Sequence, residues 1–273
     1  MACNRPFSVR NSSGEIVLAP CGWCRQCRID RREEWTHRIM SEISLHDGAF
    51  LTLTYNDLYL PSGGSLVPND LTLFLKRFRQ NLSRSRASGR KIKYYAVGEY
   101  GSVGGYLDLY DTGFGRPHYH LIISGLDPYN VDSLARQSWS YGFIKTEPAN
   151  PSTVRYTLKY LDKQIVGKDA ESVYGSLVPP FARMSKGLGL EWMLKNSDSI
   201  AENNGYYVKG RLVPPPRYYK RRFGVSSSPS PDSPKYKRLK EYMDLHNCTL
   251  EQASNALGLV NEQALNDKDN LHI

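Results

Sequence analysis

The chain has 273 residues, 40% of them apolar, enough for one core of ordinary size with a small appendage. It contains no run of eighteen apolar residues, which argues against a membrane-spanning helix, and its first 21 residues lack the basic start and long apolar stretch of a secretory signal. The 36 Lys and Arg outnumber the 27 Asp and Glu by nine, a field that concentrates polyanions without regard to their sequence. Nineteen tyrosines add aromatic faces that suit single-stranded bases, although strand and core positions are the ordinary place for a tyrosine. Five cysteines, four of them crowded near the start, suit a reducing compartment and a metal or packed-thiol role better than a disulfide scaffold.

The first element is a helix over "CRIDRREEWTHRIMSEISLH", where Trp35, Ile39 and Ile43 recur every four residues. "AFLTLTY" (49–55) is a strand. After "LPSGGSLVP", Asn69 or Asp70 is placed to cap a helix through "LTLFLKRFRQNL", with Leu71, Phe74, Leu75 and Phe78 on one face. "KIKYYAVGEYG" and "RPHYHLIISG" read as strands joined by a Gly-rich connection, 101–115. A short helix near 130–138, a strand over 141–147 and a helix opening at "NPSTVRYTLKYLDKQI" follow, with Pro151 in its first turn and Gly167 at its end.

After the first helix the order is β-α-β-β-α-β and then a helix. That is the split-βαβ, ferredoxin-like or RRM-like arrangement of the α+β class, an antiparallel sheet with helices on one face. Beyond residue 170 the signals weaken to a short helix in "MSKGLGLEWMLKN", a hairpin in "GYYVKGRLVPPPRYYKRRF" running into a Pro-rich basic segment, a linker "SSSPSPDSP", and one or two helices over 236–259. The expected division is 1–46 for the Cys-containing helix region, 47–195 for the core and 196–273 for a basic extension.

On a strand, residues two apart face the same way, so His118 and His120 in "RPHYHLII" project together while Tyr119 and Leu121 face the other side. Two neighbouring imidazoles can ligate one divalent ion, and they can equally be satisfied core or surface residues. Glu99, in "AVGEYG", stands near the end of the preceding strand, and antiparallel pairing brings it beside the histidines. A carboxylate in an apolar strand is costly unless it is paired or coordinated. An exposed Glu99 salt-bridged to Arg116 is the competing reading.

The helix "VRYTLKYLDKQI" places Tyr156 and Tyr160 four residues apart, with Lys163 on their face and Lys159 beside it. One reading buries both tyrosines against the sheet. The other notes that Leu158, Leu161 and Ile165 already form an apolar stripe, which leaves the tyrosines and lysines on another face. A phenol, with a pKa of about 10, can attack a phosphodiester when a metal polarises the phosphate. The products are a 5′-phosphotyrosine and a free 3′-hydroxyl, and the retained bond energy lets the same site rejoin strands without ATP. Flanking lysines stabilise the phosphate charge.

Taken in order, His118-Tyr119-His120 followed by Tyr156-x-x-Lys159-Tyr160-x-x-Lys163 resembles the HUH endonucleases, and "FLTLTY" resembles their first-strand motif. With "CGWCRQCRIDRREEW", "GEYG", "RPHYHLI" and "MSKGLG", residues 1–195 resemble the rolling-circle replication initiators of the gokushovirus branch of the microviruses. The resemblance implies an HUH-endonuclease fold and a divalent ion, Mg2+ or Mn2+, on His118, His120 and Glu99. It makes Tyr156 and Tyr160 nucleophiles, Lys159 a catalytic phosphate contact and Lys163 a phosphate contact in DNA binding; Arg116 is a further DNA-binding candidate. The partners it implies are the single-stranded DNA origin of a circular phage genome and, since the chain has no G-x-x-x-x-G-K-[ST] loop, a host helicase with the host replication machinery. The implied location is the host bacterial cytoplasm, with no membrane. A tyrosine transposase of the same superfamily is the alternative enzyme. A non-catalytic binder built on an RRM-like sheet is the alternative outside enzymes, though "KIKYYAVGEY" lacks that module's Gly-Phe-rich signature.

Cys21-x2-Cys24-x2-Cys27, with Cys3 upstream, has the spacing of a structural zinc site. An iron–sulfur cluster and buried free thiols are the other readings. In "RYYKRRF" (217–223), Arg217, Tyr218, Lys220 and Arg221 read either as phosphate contacts beside base stacking or as a solvated basic face.

Overall fold

The computed structural model describes residues 3–249 except 4, 11–13, 15, 102–113, 164–167, 204, 209 and 224–233, together with 252, 253 and 256. Its elements in chain order are β1 (Phe7–Arg10), β2 (Ile16–Ala19), α1 (Arg25–Ile43), β3 (Gly48–Tyr55), α2 (Pro68–Arg84), β4 (Lys93–Tyr100), β5 (Pro117–Ser124), α3 (Pro128–Ser138), β6 (Gly142–Pro148), α4 (Pro151–Leu158), α5 (Tyr160–Lys163), α6 (Lys168–Tyr174), β7 (Phe181–Met184), α7 (Leu190–Lys195), α8 (Ser197–Asn203), β8 (Tyr206–Val208), β9 (Arg211–Val213), α9 (Arg217–Phe223) and α10 (Pro234–His246). The chain divides into two units, residues 35–214 and residues 1–34 with 215–273.

The unit of residues 35–214 is built on an antiparallel sheet of order β6-β3-β5-β4-β7. Its first four strands, with α2 and α3, realise the β-α-β-β-α-β order. β7 extends the sheet beyond β4 and has no counterpart in the sequence reading, because four residues of "FARM" carry too little alternation to announce a strand.

Side chains alternate across the sheet, and both faces are apolar. Leu51, Leu53, Tyr119, Leu121 and Ile123 face α2 and α3, meeting Leu71, Phe74, Phe78, Val131 and Leu134 in one core. Phe50, Ile122, Tyr95 and Val97 face the other way, against Ile39 of α1, Val154 and Leu158 of α4, and Leu161 of α5. Helices therefore cover both faces, which corrects the expectation of one covered face. The sign was in β5, where every residue from Tyr119 to Ser124 is buried: a strand apolar at consecutive positions has to be covered on both sides.

Two local differences from the sequence reading have plain causes. α2 begins at Pro68 with Val67 before it and no side-chain cap, so neither Asn69 nor Asp70 caps it. Proline's fixed φ suits the first helical position. The Asp70 carboxylate accepts from the Tyr55 hydroxyl at 2.7 Å instead, and the Tyr55 and Tyr119 hydroxyls bond each other at 2.8 Å. The Tyr119 hydroxyl also accepts from the Val67 amide at 3.1 Å, so the strand segment between the two histidines is pinned from behind. α4 begins as expected, with Pro151 behind an Asn150 cap that accepts from the Ser152 and Thr153 amides. It stops at Leu158, and the chain passes through Lys159 before α5, so the tyrosine segment is two helices. Gly167 and Ile165, and most of the connection 101–115, lie outside the described residues.

The motif "MSKGLG" closes the far end of this unit. Glu42 of α1 is buried and accepts from the Gly189 amide at 2.7 Å and from Lys93 Nζ at 2.8 Å, while Arg38 donates to the Leu188 carbonyl. The Ser185 amide bonds the Tyr94 carbonyl. The motif thus holds α1 to β4. Its neighbours α7 and the β8–β9 hairpin stand where expected, Gly210 supplying the positive φ of the hairpin turn. In the other unit, β1 and β2 form a hairpin, and "RYYKRRF" is the helix α9. Tyr219 of α9 is fully buried, and the Tyr218 amide donates to Glu34.

Candidate metal centre

β5 lies between β3 and β4, and the register decides what surrounds the histidines. On one side Glu99 is opposite His118 and Val97 is opposite His120. On the other, Thr54 is opposite His118 and Thr52 is opposite His120. Since opposed residues share a face, Glu99, both histidines and both threonines project together. Glu99 Oε1 is 3.3 Å from His118 Nε2 and 3.2 Å from His120 Nε2. Arg116 does not compete for Glu99: its guanidinium pairs with Asp57 and donates to the Tyr55 carbonyl.

The far nitrogen of each ring is engaged from outside the cluster. His118 Nδ1 lies 3.0 Å from the Arg116 carbonyl, which only accepts, so Nδ1 donates there. His120 Nδ1 lies 2.9 Å from the Thr52 hydroxyl. Each Nε2 faces Glu99, with His118 Nε2 in hydrogen-bond contact with Oε1. His120 Nε2 is buried and has no hydrogen-bond partner. Two imidazoles held through Nδ1, with a carboxylate between their Nε2 atoms, are a donor set suited to a divalent transition-type ion, and all three ligand atoms lie within 4.8 Å of one another. The residues fit a metal.

Electrostatics agree with the geometry. Burial pushes the Glu99 carboxyl upward, but the bonds from His118 and His120 outweigh it and hold the pKa at about 2. Burial lowers the pKa of His120 and keeps it neutral, with Glu99 opposing.

Tyr156 stands over this cluster. Its ring is edge-on to His120 at 5.1 Å between centroids and to Phe50 at 6.0 Å, and half of the residue is open to solvent. Partial burial and the Glu99 charge raise its pKa, with Lys145 opposing. Tyr160 sits differently. It is buried among the core residues of this face, with its hydroxyl 3.4 Å from that of Tyr95. The two tyrosines therefore do not share an exposed face. Lys159 is exposed at the junction of α4 and α5; Lys163 ends α5, and its side chain is outside the described residues.

The remaining sequence candidates lie in the other unit. Arg217 is exposed, Tyr218 and Lys220 are half-buried, and the Arg221 side chain is not described. Cys3, Cys21, Cys24 and Cys27 come together there, all four Sγ atoms within 4.8 Å of one another. Burial raises the Cys3 and Cys27 thiols. At Cys21 burial acts in the same direction, but the amides of Cys24 and Trp23 with the neighbouring thiols outweigh it and hold the pKa at about 7.

Three residues beside the centre were missed in the sequence. Thr52 fixes the His120 ring. Phe143 and Lys145 of β6 are opposite Thr54 and Thr52, on the histidine face, and both are largely exposed. The period-2 pattern of "GFIKTE" carried the signal for the last two, since it sets Phe143 and Lys145 on one face with Ile144 on the other.

The central strands of this α+β unit thus gather two histidines and a glutamate, a donor set that could hold a divalent ion, beneath an exposed tyrosine. Comparison with known proteins narrows this. Residues 48–165, which begin at β3 and include Glu99, His118, His120, Tyr156 and Tyr160, match the family model of the ORF2-type replication-associated protein. The chain is 28% identical to the replication-associated protein ORF2 of Spiroplasma virus 4, over 81% of this chain and 80% of that one. It is 28% identical to the replication-associated protein VP4 of Bdellovibrio phage phiMH2K, over 80% and 76%. To the replication-associated protein ORF4 of Chlamydia phage 1 it is 25% identical, over 74% of this chain and 52% of that one. No solved structure matches the chain. The chain is thus similar over most of its length to replication-associated proteins of phages, the resemblance that its ordered motifs carry. Among the described residues no helix is long and apolar enough to cross a membrane.

Proposed function

We propose that the chain is an HUH-type initiator of rolling-circle replication, which nicks and rejoins the single-stranded origin of a circular phage genome in the host cytoplasm. The observation that carries this is Tyr156, a half-exposed phenol packed on His120, whose buried Nε2 gathers with that of His118 around Glu99 Oε1. Mg2+ or Mn2+ held by Glu99, His118 and His120 supplies polarisation of the scissile phosphate. Tyr156 attacks phosphorus through its phenolic oxygen. The new bond is tyrosine O–P, the bond broken is P–O3′, and the phenolic proton ends on the departing 3′ oxygen. The reverse attack by a 3′-hydroxyl restores the tyrosine and joins the strand. Lys145, exposed on the histidine face, and Lys159, exposed between α4 and α5, would contact phosphates, and Phe143 offers a ring on which a base can stack. Alternation between Tyr156 and Tyr160 requires the α4–α5 junction to bring Tyr160 out of the core. A host helicase supplies unwinding, and a structural zinc on the cysteines belongs to the same picture.

The test is incubation of the chain with end-labelled single-stranded origin DNA and Mn2+ or Mg2+, followed by denaturing electrophoresis. A covalent adduct that disappears with chelator is expected. Binding without adduct under any divalent ion would identify a non-catalytic nucleic-acid binder instead.

A further inference from the structure

We propose that Cys3, Cys21, Cys24 and Cys27 bind a single zinc ion that ties the N-terminal hairpin to the opening of α1. Cys3 and Cys24 Sγ are 3.9 Å apart, and Cys21 and Cys27 Sγ are 4.0 Å apart. Tetrahedral zinc with Zn–S bonds of about 2.3 Å sets sulfur–sulfur edges of about 3.8 Å. A disulfide needs about 2.05 Å, and no two of these cysteines are bonded. An iron–sulfur cluster, with several irons and sulfides between its ligands, holds thiolates further apart than one ion does. The spacing selects one ion.

The backbone supports thiolates at these positions. Cys3 Sγ accepts from the Cys21 amide at 3.2 Å and from the Arg5 amide at 3.4 Å. Cys21 Sγ accepts from the Trp23 and Cys24 amides at 3.4 and 3.3 Å. Gly22, with φ +81°, turns the chain so that both of those amides point at one sulfur. The ligands come from both flanks of the hairpin, Cys3 before β1 and Cys21 after β2, and from the start of α1. Two four-residue strands are marginal by themselves, and an ion bound at their base contributes its binding energy to folding.

The experiment uses the full chain carrying His118→Ala and His120→Ala, so that the other donor set holds no ion and the result is independent of DNA cleavage. Elemental analysis should find one zinc per chain, and X-ray absorption should show four sulfurs at about 2.3 Å. Cys24→Ser should weaken zinc at least about tenfold in competition with a chromogenic chelator, while Cys248→Ser should leave it unchanged. Iron with sulfide, zinc ligated by nitrogen or oxygen alone, or a folded metal-free chain whose thiols all react with a disulfide reagent would each overturn the proposal. The unsubstituted cysteines supply these readings even if Cys24→Ser does not fold.

Discussion

Exchanging one phenol at a time for phenylalanine separates the two tyrosines of the candidate site. In Tyr156→Phe the ring keeps its edge-on contacts to His120 and Phe50, and what is lost is a hydroxyl on a residue 51% exposed. Surface changes of that kind move stability by no more than about 0.5 kcal/mol. The chemistry has no substitute atom in that place, so adduct formation should fall at least about 1000-fold, equivalent to about 4 kcal/mol of transition-state stabilisation. Tyr160→Phe should behave in the opposite way. Its ring is 5% exposed within the core, and its hydroxyl faces that of Tyr95. Removing a buried hydrogen-bonding group of this sort costs about 1 kcal/mol, and the first cleavage should persist. The assay pairs denaturing-gel quantification of labelled adduct with thermal or urea unfolding of each variant. Loss of adduct in Tyr160→Phe together with its retention in Tyr156→Phe would refute the assignment.

His120→Ala removes the ligand held by Thr52 and should abolish saturable Mn2+ binding by calorimetry or electron paramagnetic resonance; unchanged affinity would remove Glu99, His118 and His120 from the metal's coordination. Lys145→Gln should weaken binding of single-stranded DNA and reduce the slope of log affinity against log salt by about 0.7, one phosphate contact, and Phe143→Ala should weaken binding by about 1–3 kcal/mol without changing that slope. Asp127 caps α3 by accepting from the Asn130 amide at 3.0 Å, so Asp127→Ala should cost about 1 kcal/mol near neutral pH in denaturant titrations. That amide bond holds the Asp127 pKa below its ordinary value. The cap's contribution is therefore present above the unfolded-state pKa, and the gap between variant and parent should narrow as pH falls through and below the ordinary aspartate range.

Much of the site was legible before any coordinates. His118 and His120 share a face because a strand repeats every two residues, and Glu99 joins them because consecutive strands with a short enough connection pair antiparallel. The tyrosine segment was legible as helical and misread in its facing. An i, i+4 rule places Tyr156 and Tyr160 together on one straight helix, but Tyr160 is buried in the core beside Tyr95 and Leu161 while Tyr156 stays half open to solvent. The packing that buries one ring and leaves the other open is not marked in residue type.

Strand alternation, the histidine pair, the ordered tyrosine and lysine positions and the cysteine spacing are local quantities, and local sequence determined them: the β-α-β-β-α-β order, the donor types and the kinship with phage replication-associated proteins. Other features depend on residues far apart in the chain. Helices cover both sheet faces because α1 and α4, more than a hundred residues apart, bury the same apolar surface. β7 joins the edge beside β4, and Phe143 and Lys145 reach the histidine face only because β6 pairs with β3. Thr52 becomes the partner of His120 across 68 residues of chain. Pairing register and packing between distant segments set these contacts, and no short stretch of sequence encodes them.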